Sequence, residues 1–361
     1  MHSGRTPERF TKHSLVAVSH AIERAALAEA EDGPLVVFAL FQRLPYFDRE
    51  REIYRRIAGR ATVTVVGMVG GPPPDHLPDG VQAVALDEAE ELAREWSVVA
   101  LTPRFGASLV AYDRGEVTPA ATLETGRLFD GHWGFRRDAA LHEVIRLRER
   151  LAERLPGPAR VALDEAVARV RDIPAGAGES RADAALRLLV RRGYRGAPPV
   201  ETADGMLDEA GLRRWSGADG VTASGTLPVA LVGLRVAEPA GAPERFGRRS
   251  AARESQAVLA AVTSVLRPVD RAVRVADNEF QLVLPALGEP EALAVVGRLH
   301  ESIGALARAF PFVTYTVHAA VAVTTRRPLP TADLRAAVEW AVREGVPVAG
   351  LPPEPAPVGA R

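Results

Sequence analysis

Two periodicities alternate along the first 156 residues. Leu15, Val18, Ile22 and Ala26 recur at helical spacing within residues 15–30, and Gly33 and Pro34 stop that run. Residues 35–41 form a short unbroken apolar block, as a buried strand does. A charged amphipathic stretch, residues 47–57, leads to a second apolar strand over 63–69. Residues 70–80 hold three consecutive prolines (Pro72, Pro73, Pro74), which cannot donate to a sheet ladder, so a loop is expected there. Strands are predicted over 81–86, 97–102 and 107–113, with helices over 88–94 and 137–154. The alternation predicts an α/β domain over residues 10–156.

Residues 157–226 read as a helical connector. Helical spacing covers 159–171 and 181–192, separated by residues 174–180 with their Gly and Ser. Val161, Leu163, Val167 and Val170 form an apolar stripe that serves either ordinary packing or a seam between two chains. From Leu227 the order becomes strand (229–236), irregular segment, helix (250–266), hairpin (272–284), helix (290–309), strand (313–323) and helix (332–343). That order predicts a ferredoxin-like α/β sandwich with an extra hairpin over residues 227–345. The proline-rich end, within 346–361, is expected to be a disordered tail.

At 361 residues and 47% hydrophobic composition, the chain is long enough for two cores. The 45 basic and 46 acidic side chains leave a net charge of −1, without the cationic excess of a DNA-binding protein. No cysteine is present, which excludes disulfides and thiolate chemistry. The eight histidines are scattered with no close pair at ligand spacing, and neither a metal site nor a cofactor is expected. Residues 1–14 are polar and no apolar run has the length of a membrane span, so a cytoplasmic protein is expected. Lys12 is the single lysine; every other basic residue is arginine, so one arginine carries little meaning by itself.

Residues 15–27 (LVAVSHAIERAAL), 38–47 (FALFQRLPYF) and 53–67 (IYRRIAGRATVTVVG) resemble the DICT sensory domain of bacterial signalling proteins, over about residues 10–150. The resemblance implies a sensory role and assigns no ligand to particular residues. Phe41 and Gln42 are read as the end of a core strand.

Residues 227–345 resemble the GGDEF domain of diguanylate cyclases. Arg274-Val-Ala-Asp-Asn-Glu-Phe280, followed by Gln-Leu-Val-Leu-Pro285, is similar to that family's arginine, signature quintet and apolar strand ending in proline. The quintet falls on Ala276, Asp277, Asn278, Glu279 and Phe280. The resemblance implies two divalent cations held by a carboxylate ending the first strand and another at the third signature position. Arg235 and Asn278 stand there instead. Ala276 and Asp277 replace the two glycines that let a triphosphate lie against bare amides. The family's guanine-reading positions hold Pro243 and Ala252, and residues 239–243 are expected to sustain no helix. No cyclase activity and no catalytic residue are therefore expected; Glu279 is read as an exposed hairpin carboxylate and Phe280 as core.

The family's inhibitory product site, Arg-x-x-Asp five residues before the signature, has its counterpart in Arg267-Pro-Val-Asp270. Arginine can donate two hydrogen bonds to guanine O6 and N7, and aspartate can accept from N1 and N2. The resemblance implies cyclic di-GMP as ligand, with Arg271, Arg274 or a second subunit adding contacts. In that reading the helices of 159–192 couple binding to the sensory domain. The alternative is a relic ion pair in a dimerisation or interaction scaffold that binds no nucleotide. A homodimer and an unidentified protein partner are compatible with both.

Overall fold

A computed structural model describes residues 8–28, 33–41, 44–69, 77–174, 176, 178–193, 206–217, 227–237, 242–276, 278–308 and 315–351. Gln42 and Asp277 lie outside them, as do most of the 70–80 loop, residues 239–241 and 352–361. The chain divides into two compact units, residues 1–114 with 127–196, and residues 115–126 with 197–361.

The first unit is built on a seven-stranded mixed sheet, in the order β1 (Glu8–Thr11), β7 (Arg127–Gly134), β6 (Gly106–Val117), β5 (Glu95–Leu101), β2 (Val36–Phe41), β3 (Val63–Val69) and β4 (Val81–Leu86). Strands β2, β3 and β4 run parallel, whereas β2–β5 and β5–β6 are antiparallel. All six residues of β2 are buried, because successive side chains enter different cores. Val37, Ala39 and Phe41 join Leu15, Val18 and Ile22 of α1 (Lys12–Ala28) and Phe47, Tyr54 and Ile57 of α2 (Leu44–Ala58). Val36, Phe38 and Leu40 join Ala140, Val144 and Leu147 of α3 (Arg137–Arg150) and Leu163, Ala166, Val167 and Val170 of α4 (Gly157–Arg171). Helices cover both faces of the sheet.

Several expectations change here. The stretch 157–226, read as a connector, is divided: α4 and α5 (Glu179–Gly193) belong to the first unit, and α6 (Glu209–Ser216) to the second. Leu163, Val167 and Val170 are buried in the first unit's own core, which removes them from any seam between chains. Residues 88–94 make only a single 3₁₀ turn at Glu91–Arg94. Side chains compete for the local backbone: Glu90 Oε1 accepts from Asp87 N (2.7 Å) and Asp87 Oδ1 from Ala89 N (2.8 Å). Strand β7 escaped the pattern because its inward positions are Arg127, Phe129, Gly131 and Trp133, where an arginine and a glycine mask the alternation.

In the second unit a five-stranded sheet has the order β12 (Val348–Gly350), β11 (Thr316–Thr324), β8 (Val229–Ala237), β10 (Glu279–Pro285), β9 (Arg271–Ala276). Among the last four strands each neighbouring pair is antiparallel, in the order of a ferredoxin-like sandwich. Val232 and Leu234 of β8 meet Val258 and Val262 of α7 (Ala242–Ser264) and Val295 and Leu299 of α8 (Glu289–Ala305). Val229 and Leu231 meet Leu334 and Val338 of α9 (Thr331–Glu344), with Trp215 and Leu123 in the same core. A Cβ on Gly233 would stand 2.6 Å from Val338 Cγ2, so glycine lets α9 close onto β8.

Two expectations fail in this unit. Helix α7 begins at Ala242 rather than near residue 250, which places Pro243 in the first turn, where a missing N–H costs no helical bond. The expected tail begins too early: β12 pairs in parallel with β11 before the described residues end at 351.

Candidate functional site

The segment read as the signature forms a hairpin, with β9 and β10 adjacent and a register shift between Glu279 and Phe280. Phe280 is buried in the α7/α8 core and Ala276 is at the exposed end of β9. Asn278 lies in the turn, where its carbonyl accepts from Val236 N at 2.9 Å. On β8, Arg235 is the register partner of Glu279. Arg235 Nη1 lies 2.8 Å from Glu279 Oε1, so the carboxylate read as an exposed hairpin charge has a cation across the sheet. The depression beside it, lined by Gly233, Val275, Glu279, Arg335 and Glu339 among others, measures 20 Å³, the space of one water.

The Arg-x-x-Asp element occupies the turn between α7 and β9 and is closed on itself. Asp270 Oδ2 accepts from Arg267 N (2.7 Å), Oδ1 from Arg267 Nη2 (2.7 Å), and both oxygens from Nε (3.1 Å). Nη2 also donates to the Pro285 carbonyl (2.7 Å). The Asp270 side chain is 1% exposed and that of Arg267 39%. Asp270 therefore acts as the lock of a turn, its acceptor sites engaged, and is not presented as a guanine acceptor. Arg267 keeps an open edge at Nη1, which has no partner among the described residues.

Arg271 is not available either. It is buried, its Nη1 donates to the carbonyls of Pro268 (2.9 Å) and Asp270 (2.7 Å), and its guanidinium stacks 5.5 Å from the Trp215 ring centroid. Trp215 lies on α6, an element the sequence pattern did not reveal. Arg274, partly buried, donates from Nη2 to Ser255 Oγ on α7 at 2.8 Å. The four residues expected to share one nucleotide thus divide into a turn lock, a stacked structural arginine, a strand–helix tie and one open guanidinium edge.

A second cluster, absent from the sequence reading, lies in the first unit. His20 and Glu23 of α1 and Glu50 of α2 offer ligand atoms that all lie within 4.8 Å of one another. Burial pushes the Glu23 carboxyl up to about 7, and the nearby Glu50 charge adds to the rise. A cavity of 120 Å³ opens beside the cluster, lined by Lys12, Ser19, His20, Phe41, Glu50 and Trp96 among others. Only the fold brings Glu50 to residues thirty positions earlier.

Residues 2–114 match the DICT family, described as a sensory domain in diguanylate cyclases and two-component systems. That match falls within the first compact unit. Among solved structures, the GGDEF domain of DgcB from Caulobacter crescentus, in complex with c-di-GMP, is 14% identical with a TM-score of 0.34, covering 44% of this chain and 98% of that one. The diguanylate cyclase SiaD from Pseudomonas aeruginosa, in complex with its activator SiaC, is 21% identical with a TM-score of 0.35, covering 59% and 79%. The GGDEF domain of YfiN from Pseudomonas aeruginosa is 16% identical with a TM-score of 0.36, covering 41% and 98%. A comparison with curated proteins finds no match. No helix among the described residues is long and apolar enough to cross a membrane.

Proposed function

We propose that this is a signalling protein whose DICT domain receives a cue and whose GGDEF-type domain makes no cyclic di-GMP but binds it. The observation that carries the first half is the Arg235–Glu279 contact. In the resemblance the site needs carboxylates converging on divalent cations; here a guanidinium already neutralises the one retained carboxylate at 2.8 Å. Arg235 repels a second cation, and Asn278 brings no charge to offset that repulsion. Groups that act as a unit are not replaced by the single survivor.

Binding is carried by Arg267. Its buried partner Asp270 fixes the guanidinium plane from behind, so the open Nη1 edge is pre-organised toward solvent for an acceptor such as a guanine O6 or a phosphate oxygen. Asp270 is the positioning residue of this pair. Further contacts come from groups other than Arg271, which is committed to Trp215.

Two measurements test the two halves. Full-length protein with GTP and Mg²⁺ or Mn²⁺ is expected to yield no cyclic dinucleotide; detectable product overturns the first half. Calorimetric titration with cyclic di-GMP is expected to give heat that Arg267→Ala abolishes and Asp270→Asn weakens by about 10-fold, one hydrogen-bonded charge's worth. No heat from the wild-type chain at tens of micromolar ligand, or equal heat from Arg267→Ala, overturns the second half and leaves the non-nucleotide scaffold.

A further inference from the structure

We propose that His20, Glu23 and Glu50 form a binding site for a divalent metal ion of the zinc class, with its open coordination position facing the cavity between α1, α2 and β5. The site is separate from the nucleotide element of the other unit and does not depend on it.

The donor set is one imidazole nitrogen and two carboxylate oxygens, which suits Zn²⁺ and similar borderline ions. His20 and Glu23 are three residues apart on α1, a spacing that projects both from one helical face, and Glu50 arrives from α2. His20 Nε2 and Glu50 Oε1 are 3.2 Å apart. Metal–ligand bonds of about 2.0–2.2 Å at a tetrahedral angle imply a ligand–ligand edge of about 3.3 Å, so this pair already has the separation that a shared ion requires. The remaining edges, within 4.8 Å, close by side-chain rotation.

Glu23 supplies the independent observation. It is 1% exposed, and its two oxygens are treated differently. Oε1 accepts from Ser19 Oγ (3.1 Å) and from Tyr54 OH (3.0 Å), whereas Oε2 is buried without a hydrogen-bond partner among the described residues. A buried carboxylate with one oxygen doubly tethered and the other bare is incomplete as a structural group, because an unpaired buried acceptor bears its full desolvation cost. It is complete as a metal ligand: ligating carboxylates are held through their second oxygen by outer hydrogen bonds, and Ser19 and Tyr54 are those bonds.

Three protein ligands leave one tetrahedral position. Two of the three ligands, His20 and Glu50, line the 120 Å³ cavity, together with the apolar Val16, Phe41 and Trp96. This is the layout of an open site rather than a closed structural one. The fourth ligand is a water or a small anionic molecule drawn by the ion.

The test uses the full-length chain, stripped with chelator and titrated with Zn²⁺ alone. One equivalent is expected to bind. His20→Ala and Glu50→Gln, both at partly exposed positions, are expected each to weaken binding by about 100-fold or more, and Tyr54→Phe by about 10-fold through loss of an outer hydrogen bond. Cobalt in place of zinc reports directly: a visible absorption band of a tetrahedral nitrogen–oxygen site is expected in the wild type and absent in His20→Ala. Failure of the stripped protein to bind Zn²⁺, or undiminished binding and an unchanged cobalt spectrum in His20→Ala and Glu50→Gln, overturns the site. Circular dichroism of each variant separates loss of the ligand from loss of the fold.

Discussion

Arg146→Ala is expected to destabilise the first unit by about 3–5 kcal/mol, the range for leaving a buried ion pair without its partner. Arg146 projects from α3 between two carboxylates. Its Nη1 and Nη2 donate to the two oxygens of Glu95 (3.0 and 2.6 Å), and its Nε donates to Glu143 Oε2 (2.6 Å). The Glu95 and Glu143 side chains are 1% and 6% exposed. Glu95 lies on β5 and also accepts from Tyr112 OH (2.8 Å) and Ser97 Oγ, so one guanidinium ties a helix to three polar groups of the sheet. Burial pulls the Arg146 pKa down, yet the bonds to Glu95 and Glu143 outweigh it and hold the guanidinium above its ordinary value. Burial likewise raises Glu143, and His132 and Arg146 reverse the sign. Without Arg146, buried Glu143 loses one of the cations that hold its carboxyl down, and its pKa rises. A raised carboxyl gives the folded state the greater proton affinity, so the variant loses stability as pH increases. Denaturant unfolding at pH 5 and pH 8 checks this: the gap between variant and wild type is expected to be wider at pH 8. A gap below about 1 kcal/mol at both values would mean that the network behaves as an exposed pair.

What the sequence discloses, and what it conceals, follows from the range of each interaction. Strands β3 and β4 are readable to the residue because continuous or alternating apolar runs are local signals. Helix α7 hides its first two turns behind Pro243, since proline near a helix start looks like a break until the register of the first turn is known. Strand β7 hides because Arg127, an inward residue, is neutralised by Asp113 of the neighbouring strand, a pairing no window contains. The candidate sites divide in the same way. The Arg267–Asp270 spacing is visible in four consecutive residues, whereas its closure on the Pro285 carbonyl, and the capture of Arg271 by Trp215, arise only when α6 and β10 are in place. The His20–Glu23–Glu50 cluster is hidden in the sequence because its donors are mixed rather than paired histidines, and because Tyr54 and Glu50 reach α1 only through the packing of α2.

Phe280→Ala is expected to lower the stability of the second unit by about 3–5 kcal/mol, whereas Glu279→Gln, one position away, is expected to change it by less than about 1 kcal/mol. Phe280 is 2% exposed and packs among Leu234, Leu282, Val258 and Leu299 in the core beneath α7 and α8, so truncation both withdraws apolar surface and opens a cavity in a close-packed layer. Glu279 contributes one partly exposed ion pair with Arg235, the side chains being 24% and 43% exposed. Full-length protein followed by circular dichroism and tryptophan fluorescence provides the measurement, the buried Trp215 reporting on the second unit. With two compact units the unfolding curve is free to show two transitions, and only that of the second unit is expected to move. An equal loss in both variants would place the Arg235–Glu279 pair in the stability of the fold. The two substitutions therefore separate the two faces of the hairpin: its apolar face builds a core, and its polar edge carries an ion pair of small weight in stability.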